Sequence, residues 1–212
     1  MYLVTEQVEG NNKVRDSIGG YPVLPQGYDW PTCPETNKEM VLFFQLDIPS
    51  NIGVGENRHL SIFMSPEINE IPSFDYFANG SSLPENFWIH REKHFKVYFF
   101  NGEGAISEKA DQYLQHKVLK LSEAGTIGDN IKIGGSPDWL QDAEIPVGSK
   151  GEEFRFLLQI PEGFGFKQKS GAPEQPDSFS VSEYCLFLGN QIYIYVTNEI
   201  EDPEAVWLVV QN

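Results

Sequence analysis

Apolar and polar residues alternate in several short runs. "VLFFQLDI" (41–48) sets Leu42, Phe44, Leu46 and Ile48 against Val41, Phe43, Gln45 and Asp47, a wholly apolar face opposite a mixed one, as in a strand of a packed sheet. "FRFLLQI" (154–160) repeats the pattern, with Phe156, Leu158 and Ile160 on one face. "HLSIFMS" (59–65), "QIYIYVT" (191–197) and "AVWLVVQ" (205–211) also read as strands, and "HFKVYFFNGEGA" (94–105) as a strand ending in a glycine-rich turn. "YCLFLGNQIYIYVT" (184–197) predicts two strands joined by a Gly-Asn turn, a hairpin. One segment has a different period. Ala110, Tyr113, Leu114, Val118 and Leu121 recur at helical spacing after Ser107, a suitable N-cap, and before Gly125, a suitable stop, so a helix is expected over about 107–124. Residues 68–86 and 167–178 ("KQKSGAPEQPDS") read as loops, the second long enough for a mobile flap or an insertion.

Two of these stretches are written twice. "IGGYPVLPQ" (18–26) aligns with "IGGSPDWLQ" (133–141): Ile18, Gly19, Gly20, Pro22 and Gln26 match Ile133, Gly134, Gly135, Pro137 and Gln141 at a constant offset of 115 residues. Downstream, Gln45 and Gln159 correspond at an offset of 114, and each half then carries a β-rich segment. Three features in one order imply an internal duplication. The expected fold is α+β and mainly β. It forms a single domain over 1–212, with pseudo-symmetric halves at about 15–100 and 130–212, a helical connector at about 105–125, and one or few helices packed on the sheets.

Composition adds bounds. At 212 residues, with 40% apolar and 13% aromatic residues, the chain can build a packed core. No apolar run reaches the roughly 20 residues of a membrane span, and "MYLVTEQVEG" lacks the basic start and apolar run of a secretory signal, so a soluble, cytoplasmic protein is expected. Cys33 and Cys185 form no CxxC pair, which fits a reducing compartment. The net charge of −16, from 31 acidic and 15 basic residues, repels nucleic acid and anionic membranes. It serves either solubility alone or encounter with a basic protein or peptide; oligomeric state is not set by it.

The candidate chemistry is sparse. A phosphate loop needs GxxxxGK[ST] running into a helix; neither Gly-Gly copy has the lysine, and Pro22 and Pro137 remove amide donors, so both copies read as turns. Gln45 and Gln159 interrupt apolar runs and must be hydrogen-bonded, either to a ligand or as clamps on the GGxP backbone; their recurrence favours the clamp. His90 and His94 in "HREKH" would share a metal on a helix, but a strand would set them ~13 Å apart, so no metal or other cofactor is expected. Cys33 lies in a proline-rich loop with His59 distant in sequence and no identifiable base or oxyanion hole, and Cys185 reads as core. Tyr21, Tyr28, Trp30 and Trp139 flank the two turns where the copies differ. They are the candidates for a binding surface, against the alternative that they cover a sheet edge.

The combination "GGYPVLPQGYDWP", "LFFQLDIP", a second "GGSPDWLQ" with "LLQIP", and "GNQIYIYV" resembles the bacterial YwqG-like proteins, a domain family of unknown function, over about residues 15–210. "GGSPDWL" is also similar to a motif of the eukaryotic programmed cell death protein 2 and its ribosome-biogenesis relatives, dedicated chaperones of a ribosomal protein. The resemblance implies a mainly β fold built by duplication and a protein- or peptide-binding role, and brings no catalytic residues. Some relatives carry paired cysteines after Trp-Pro, suggestive of metal; "WPTCPE" here has only Cys33. The expected function is a non-enzymatic binding module, chaperone-like or an immunity-type inhibitor of a basic partner. The alternatives are a hydrolase with its site in the cleft between the halves, or a structural subunit exposing a large apolar patch.

Overall fold

A computed structural model describes residues 1–9, 13–72, 94–123, 128–148 and 150–212. The long strands are β1 (Tyr2–Glu9), β6 (Val41–Ile48), β7 (Arg58–Met64), β8 (Phe95–Asn101), β10 (Lys117–Glu123), β12 (Arg155–Ile160), β15 (Gln191–Val196) and β16 (Val206–Gln211). Two-residue strands fill the gaps: β2 (Ser17–Ile18), β3 (Val23–Leu24), β4 (Thr32–Cys33), β5 (Lys38–Glu39), β9 (Ala105–Ile106), β11 (Lys132–Ile133), β13 (Phe166–Lys167) and β14 (Glu183–Tyr184). Ten strands make one antiparallel sheet, ordered β16-β15-β12-β11-β1-β10-β2-β6-β7-β8.

The β1–β10 pair lies at the middle of this order. On either side the same arrangement follows, a two-residue strand and then three long ones. Ser17 pairs with Gln45 as Lys132 pairs with Gln159, and each first long strand is bulged, between Leu42 and Phe44 and between Phe156 and Leu158. A bulge inserts one residue and so turns the following side chains to the opposite face. Leu42 and Phe156 therefore pack outside the sheet, while Phe44, Leu46, Leu158 and Ile160 pack inside. The single apolar faces expected for 41–48 and 154–160 are corrected accordingly.

The sheet curls until its edges nearly meet. Phe99 N–H donates to the Pro203 carbonyl at 2.8 Å, and Lys96 pairs with Glu204 at 2.6 Å, both across the gap between β8 and β16. The principal core fills the inside, with Phe44, Ile62 and Val97 from one flank and Leu158, Ile194 and Leu208 from the other. Two smaller apolar clusters lie outside: Val23, Leu42, Phe63 and Tyr98 on the first flank, and Phe154, Tyr193, Tyr195 and Trp207 on the second.

The helix expected over 107–124, and with it the helical connector and the packed helices, is absent from the described residues there. Ala105–Ile106 and Lys117–Glu123 are strands, and the remaining helical pieces among the described residues are two single 3-10 turns, Ser50–Ile52 and Phe187–Gly189. The reason is local and then tertiary. The Asp111 carboxylate accepts the N–H groups of Tyr113 and Leu114 at 2.9 and 2.7 Å, and that of Leu42 at 3.0 Å, which diverts the first turn from a helical ladder. Beyond it, residues 117–123 complete the sheet beside β1, where Leu119 and Leu121 share the core face.

The hairpin expected over 184–197 is likewise corrected. Glu183–Tyr184 pairs with Phe166–Lys167 in a separate ribbon, whereas Gln191–Val196 lies between β12 and β16. Between them, Phe187, Leu188 and Gly189 all have positive φ, and Asn69 Oδ1 accepts the Leu188 N–H at 2.9 Å. The loop 167–178 is packed, not a free flap. Gln175 bonds both the N–H and the carbonyl of Cys185, and Tyr184 donates to the Pro173 carbonyl at 2.6 Å. Of the loop expected at 68–86, only 68–72 is described; His90 also lies outside the described residues, and His94 is buried. Among the described residues no helix is long and apolar enough to cross a membrane.

Candidate functional site

The site is built on the two GGxP turns. Gly19 and Gly20 have φ of 57° and 82°, and Gly134 and Gly135 have 69° and 79°. The residue after each proline is then held at both backbone groups by the sheet. Gln45 Oε1 accepts the Val23 N–H at 2.8 Å and Ser61 donates to the Val23 carbonyl at 3.1 Å. In the second copy Gln159 Oε1 accepts the Asp138 N–H at 2.9 Å, and the Tyr193 hydroxyl donates to the Asp138 carbonyl at 2.8 Å. The strand glutamines thus grip backbone and touch no free surface.

Past this point the flanks diverge. In the first, β3 pairs with β9 and the chain returns over the outer cluster through the β4–β5 ribbon. Half-buried Trp30 donates to the Met40 carbonyl at 2.7 Å and packs edge-on against Phe63 at 5.9 Å. Tyr28 is exposed beside Tyr98, its phenol raised by burial and by the nearby carboxylates of Asp202 and Glu204. Tyr21 packs edge-on to His116, with Lys13 over its ring. Trp139 belongs to the other flank, on Tyr193 at 4.5 Å and Tyr195 at 6.2 Å. Trp30 and Trp139 therefore serve separate outer clusters, and the four aromatics do not form one patch.

After Trp139 the second flank stays open. The backbone of 140–142 is tied to the sheet: Tyr193 accepts the Leu140 N–H at 3.0 Å, and Gln211 accepts the Gln141 N–H at 3.1 Å and donates to the Asp142 carbonyl at 2.9 Å. Its side chains point outward. Leu140, Ile145 and Val147 are 48, 64 and 50% exposed. They alternate with Asp138, Asp142 and Glu144, followed by Glu152 and Glu153; over 138–153 five carboxylates face one lysine, Lys150. Glu152 is kept ionised by N–H bonds from its own backbone and that of Lys150. The result is an exposed strip of aliphatic and acidic side chains, held at 140–142 and at Val147.

Beneath the strip lies a group that sequence reading missed. Lys132 stands where the first copy has Ser17, its side chain buried and paired with the half-exposed carboxylate of Asp138. Replacing the lysine leaves a carboxylate that water can reach, whereas neutralising the aspartate leaves a buried ammonium uncompensated. Asp138→Asn is expected to destabilise by ~2–3 kcal/mol and Lys132→Met by less than ~1 kcal/mol, read from urea midpoints. The only signal in the sequence was that the two copies differ at this position.

His59 is entirely buried, and its partners come from other segments of the chain. Its Nδ1 lies 2.7 Å from Asp47 Oδ1, its Nε2 has no partner among the described residues, and Arg15 holds Asp47 through two bonds of 2.7 and 2.9 Å. Burial depresses the imidazole against the pull of Asp47. Burial also opposes ionisation of Asp47, but the bonds from His59 and Arg15 outweigh it and bring the carboxyl to about 2. The unfolded chain therefore takes up the histidine proton first, near pH ~6.5, so stability falls as pH drops below that value, and falls again between pH ~4 and 2 as Asp47 protonates. In His59→Gln the loss between pH 7 and 5 becomes smaller, though not zero, because burial also depresses His116; equal losses in the two proteins exclude His59 as a cause.

Cys33 is enclosed in the first outer cluster, and Cys185 is buried with Asn69 Nδ2 3.2 Å from its sulfur. No group of three or more His, Cys, Asp or Glu among the described residues is placed to hold a metal. No protein-family model matches the chain, and no curated protein is significantly similar to it.

Proposed function

We propose that the protein is a non-enzymatic module that binds a basic protein or peptide along the strip 138–147, and that it is a YwqG-like protein whose two flanks descend from one duplicated β unit. The observation that carries the binding reading is the strip itself. Leu140, Ile145 and Val147 lie open to solvent among carboxylates; Tyr193 and Gln211 hold the backbone at 140–142, and Val147 is bridged to Glu153. An apolar side chain gains by burial, a carboxylate gains by meeting a cation, and a fixed backbone loses little entropy on binding. The complement is an extended segment in which Lys or Arg alternates with aliphatic residues. The recurring GGxP turns, matching registers and matching bulges support the duplication. The hydrolase alternative would gain from an open cleft beside His59 or Cys33, and both side chains are fully buried.

The test is titration with a synthetic peptide of alternating lysine and leucine, followed by tryptophan fluorescence at low and high salt. Association is expected to be fast and to weaken steeply with salt. Leu140→Ser and the pair Asp142→Asn/Glu144→Gln are each expected to weaken it by about tenfold. Salt-independent binding, or binding unchanged in both variants, rejects the strip as the contact. Affinity purification at two salt concentrations with mass spectrometry then identifies the natural partner.

A further inference from the structure

A second feature lies beyond the strip and shares Glu153 with its acidic margin. Where the loop after β6 meets the ends of β12 and β15, a cleft of about 80 Å3 is lined by Val54, Glu153, Arg155, Val196, Thr197, Asn198 and Glu199. We propose that this cleft binds a small α-amino acid as its zwitterion, the carboxylate on Arg155 and the ammonium between Glu153 and Glu199.

The loop that closes the cleft is tightly formed. Gly53, Gly55 and Asn57 all have positive φ within five residues, a backbone that glycine and asparagine adopt readily in a tight turn. A Cβ on Gly55 would stand 2.9 Å from Arg58 Nε and 3.2 Å from Asn198 Oδ1, so glycine lets the loop reach the lining of the cleft. Arg155, itself exposed, donates from Nη1 to the Gly53 carbonyl at 2.8 Å, which tethers one edge of the guanidinium to the loop. Arg155 makes no ion pair among the described residues, although Glu153 and Glu199 line the same cleft. A guanidinium tethered at one nitrogen, with its other N–H groups free, is suited to a carboxylate, which it grips through two parallel bonds.

The charges select the ligand. Acetate would meet Arg155 but also two carboxylates and the field of a chain with net charge −16. Methylammonium would meet the carboxylates but also the arginine. Only a ligand with both charges leaves no group opposed. Size narrows it further. The volume of the cleft is several times the about 10–15 Å3 that one water needs, so it seats a small ligand. The floor of Val54 and Val196 accepts a methyl group, and the Thr197 hydroxyl, which accepts the Glu199 N–H at 3.2 Å, shapes the turn that carries Glu199.

The test is a heteronuclear NMR titration of the full-length protein with L-alanine, L-serine, L-phenylalanine, acetate and methylammonium. L-alanine or L-serine is expected to give saturable shifts confined to 53–55, 153–155 and 196–199, with acetate and methylammonium weaker by at least about tenfold and phenylalanine not bound. Arg155→Gln and Glu199→Gln are each expected to cost about tenfold in affinity while preserving the remaining spectrum. The proposal is overturned if neither L-alanine nor L-serine saturates these shifts, if acetate or methylammonium alone matches them, or if Arg155→Gln binds as well. The ligand comparison on the unmodified protein decides the matter even if a variant fails to fold.

Discussion

Gln45→Leu is expected to destabilise the protein by about 4 kcal/mol, and Gln159→Leu by less than about half of that. Both side chains are buried, both sit at corresponding registers, and leucine fills a similar volume, so no large cavity separates the two cases. The difference lies in what each amide satisfies. Gln45 accepts from the Val23 N–H and donates to the Tyr21 carbonyl at 2.9 Å and to Ser17 Oγ at 3.0 Å, in a region closed to water. Each buried group orphaned by the change costs ~1–3 kcal/mol. Gln159 secures the Asp138 N–H alone by its carbonyl, and Asp138 is exposed, so water replaces part of what is lost. Urea denaturation of both variants measures the contrast; equal losses would mean that the two glutamines do not differ as clamps.

Gly20→Ala is expected to cost about 3 kcal/mol, and Gly135→Ala about 1 kcal/mol. These glycines occupy the same place in the two turns and have nearly the same φ, 82° and 79°. The left-handed backbone therefore penalises alanine equally, by ~1–2 kcal/mol. Space differs. A Cβ on Gly20 would lie 2.6 Å from the His116 ring, which itself packs against Tyr21, whereas on Gly135 it would meet Met1 at an ordinary 3.5 Å. The excess at Gly20 measures the cost of displacing His116. If the two substitutions prove equivalent in thermal and chemical unfolding, the close approach has no energetic weight and only the turn matters.

Much of the sheet could be read from the chain because a strand writes its period into its own residues. The runs at 41–48, 59–65, 94–101, 154–160, 191–197 and 205–211 all contain strands. The central strand Tyr2–Glu9 is not legible because "MYLVTEQVEG" shows four apolar residues and then polar ones broken only by Val8, with no sustained alternation. Residues 107–124 misled because Leu114, Val118 and Leu121 fit a helical face as well as Leu119 and Leu121 fit a strand face. A buried carboxylate at Asp111 and an available partner in β1 decided between them. Of the candidate surface, the aromatics were visible and their grouping was not: Trp30 closes one outer cluster and Trp139 the other. The Arg15–Asp47–His59 set was not legible because its members come from separate segments, and the Lys132–Asp138 pair because nothing local shows that the lysine is buried.

The sequence by itself determined the turns and the strand periods: a Gly-Gly-x-Pro stretch admits few backbone conformations, and an alternating run satisfies its hydrogen bonds best in a sheet. Only the tertiary structure decided which faces of those strands turn inward, since one bulged residue reverses them, and which segments pair, since pairing depends on distant chain. It also left Leu140, Ile145 and Val147 exposed while roofing part of the matching segment of the other flank, because there β3 found β9 and the β4–β5 ribbon, whereas after Trp139 the backbone of 140–142 is held by the side chains of Tyr193 and Gln211.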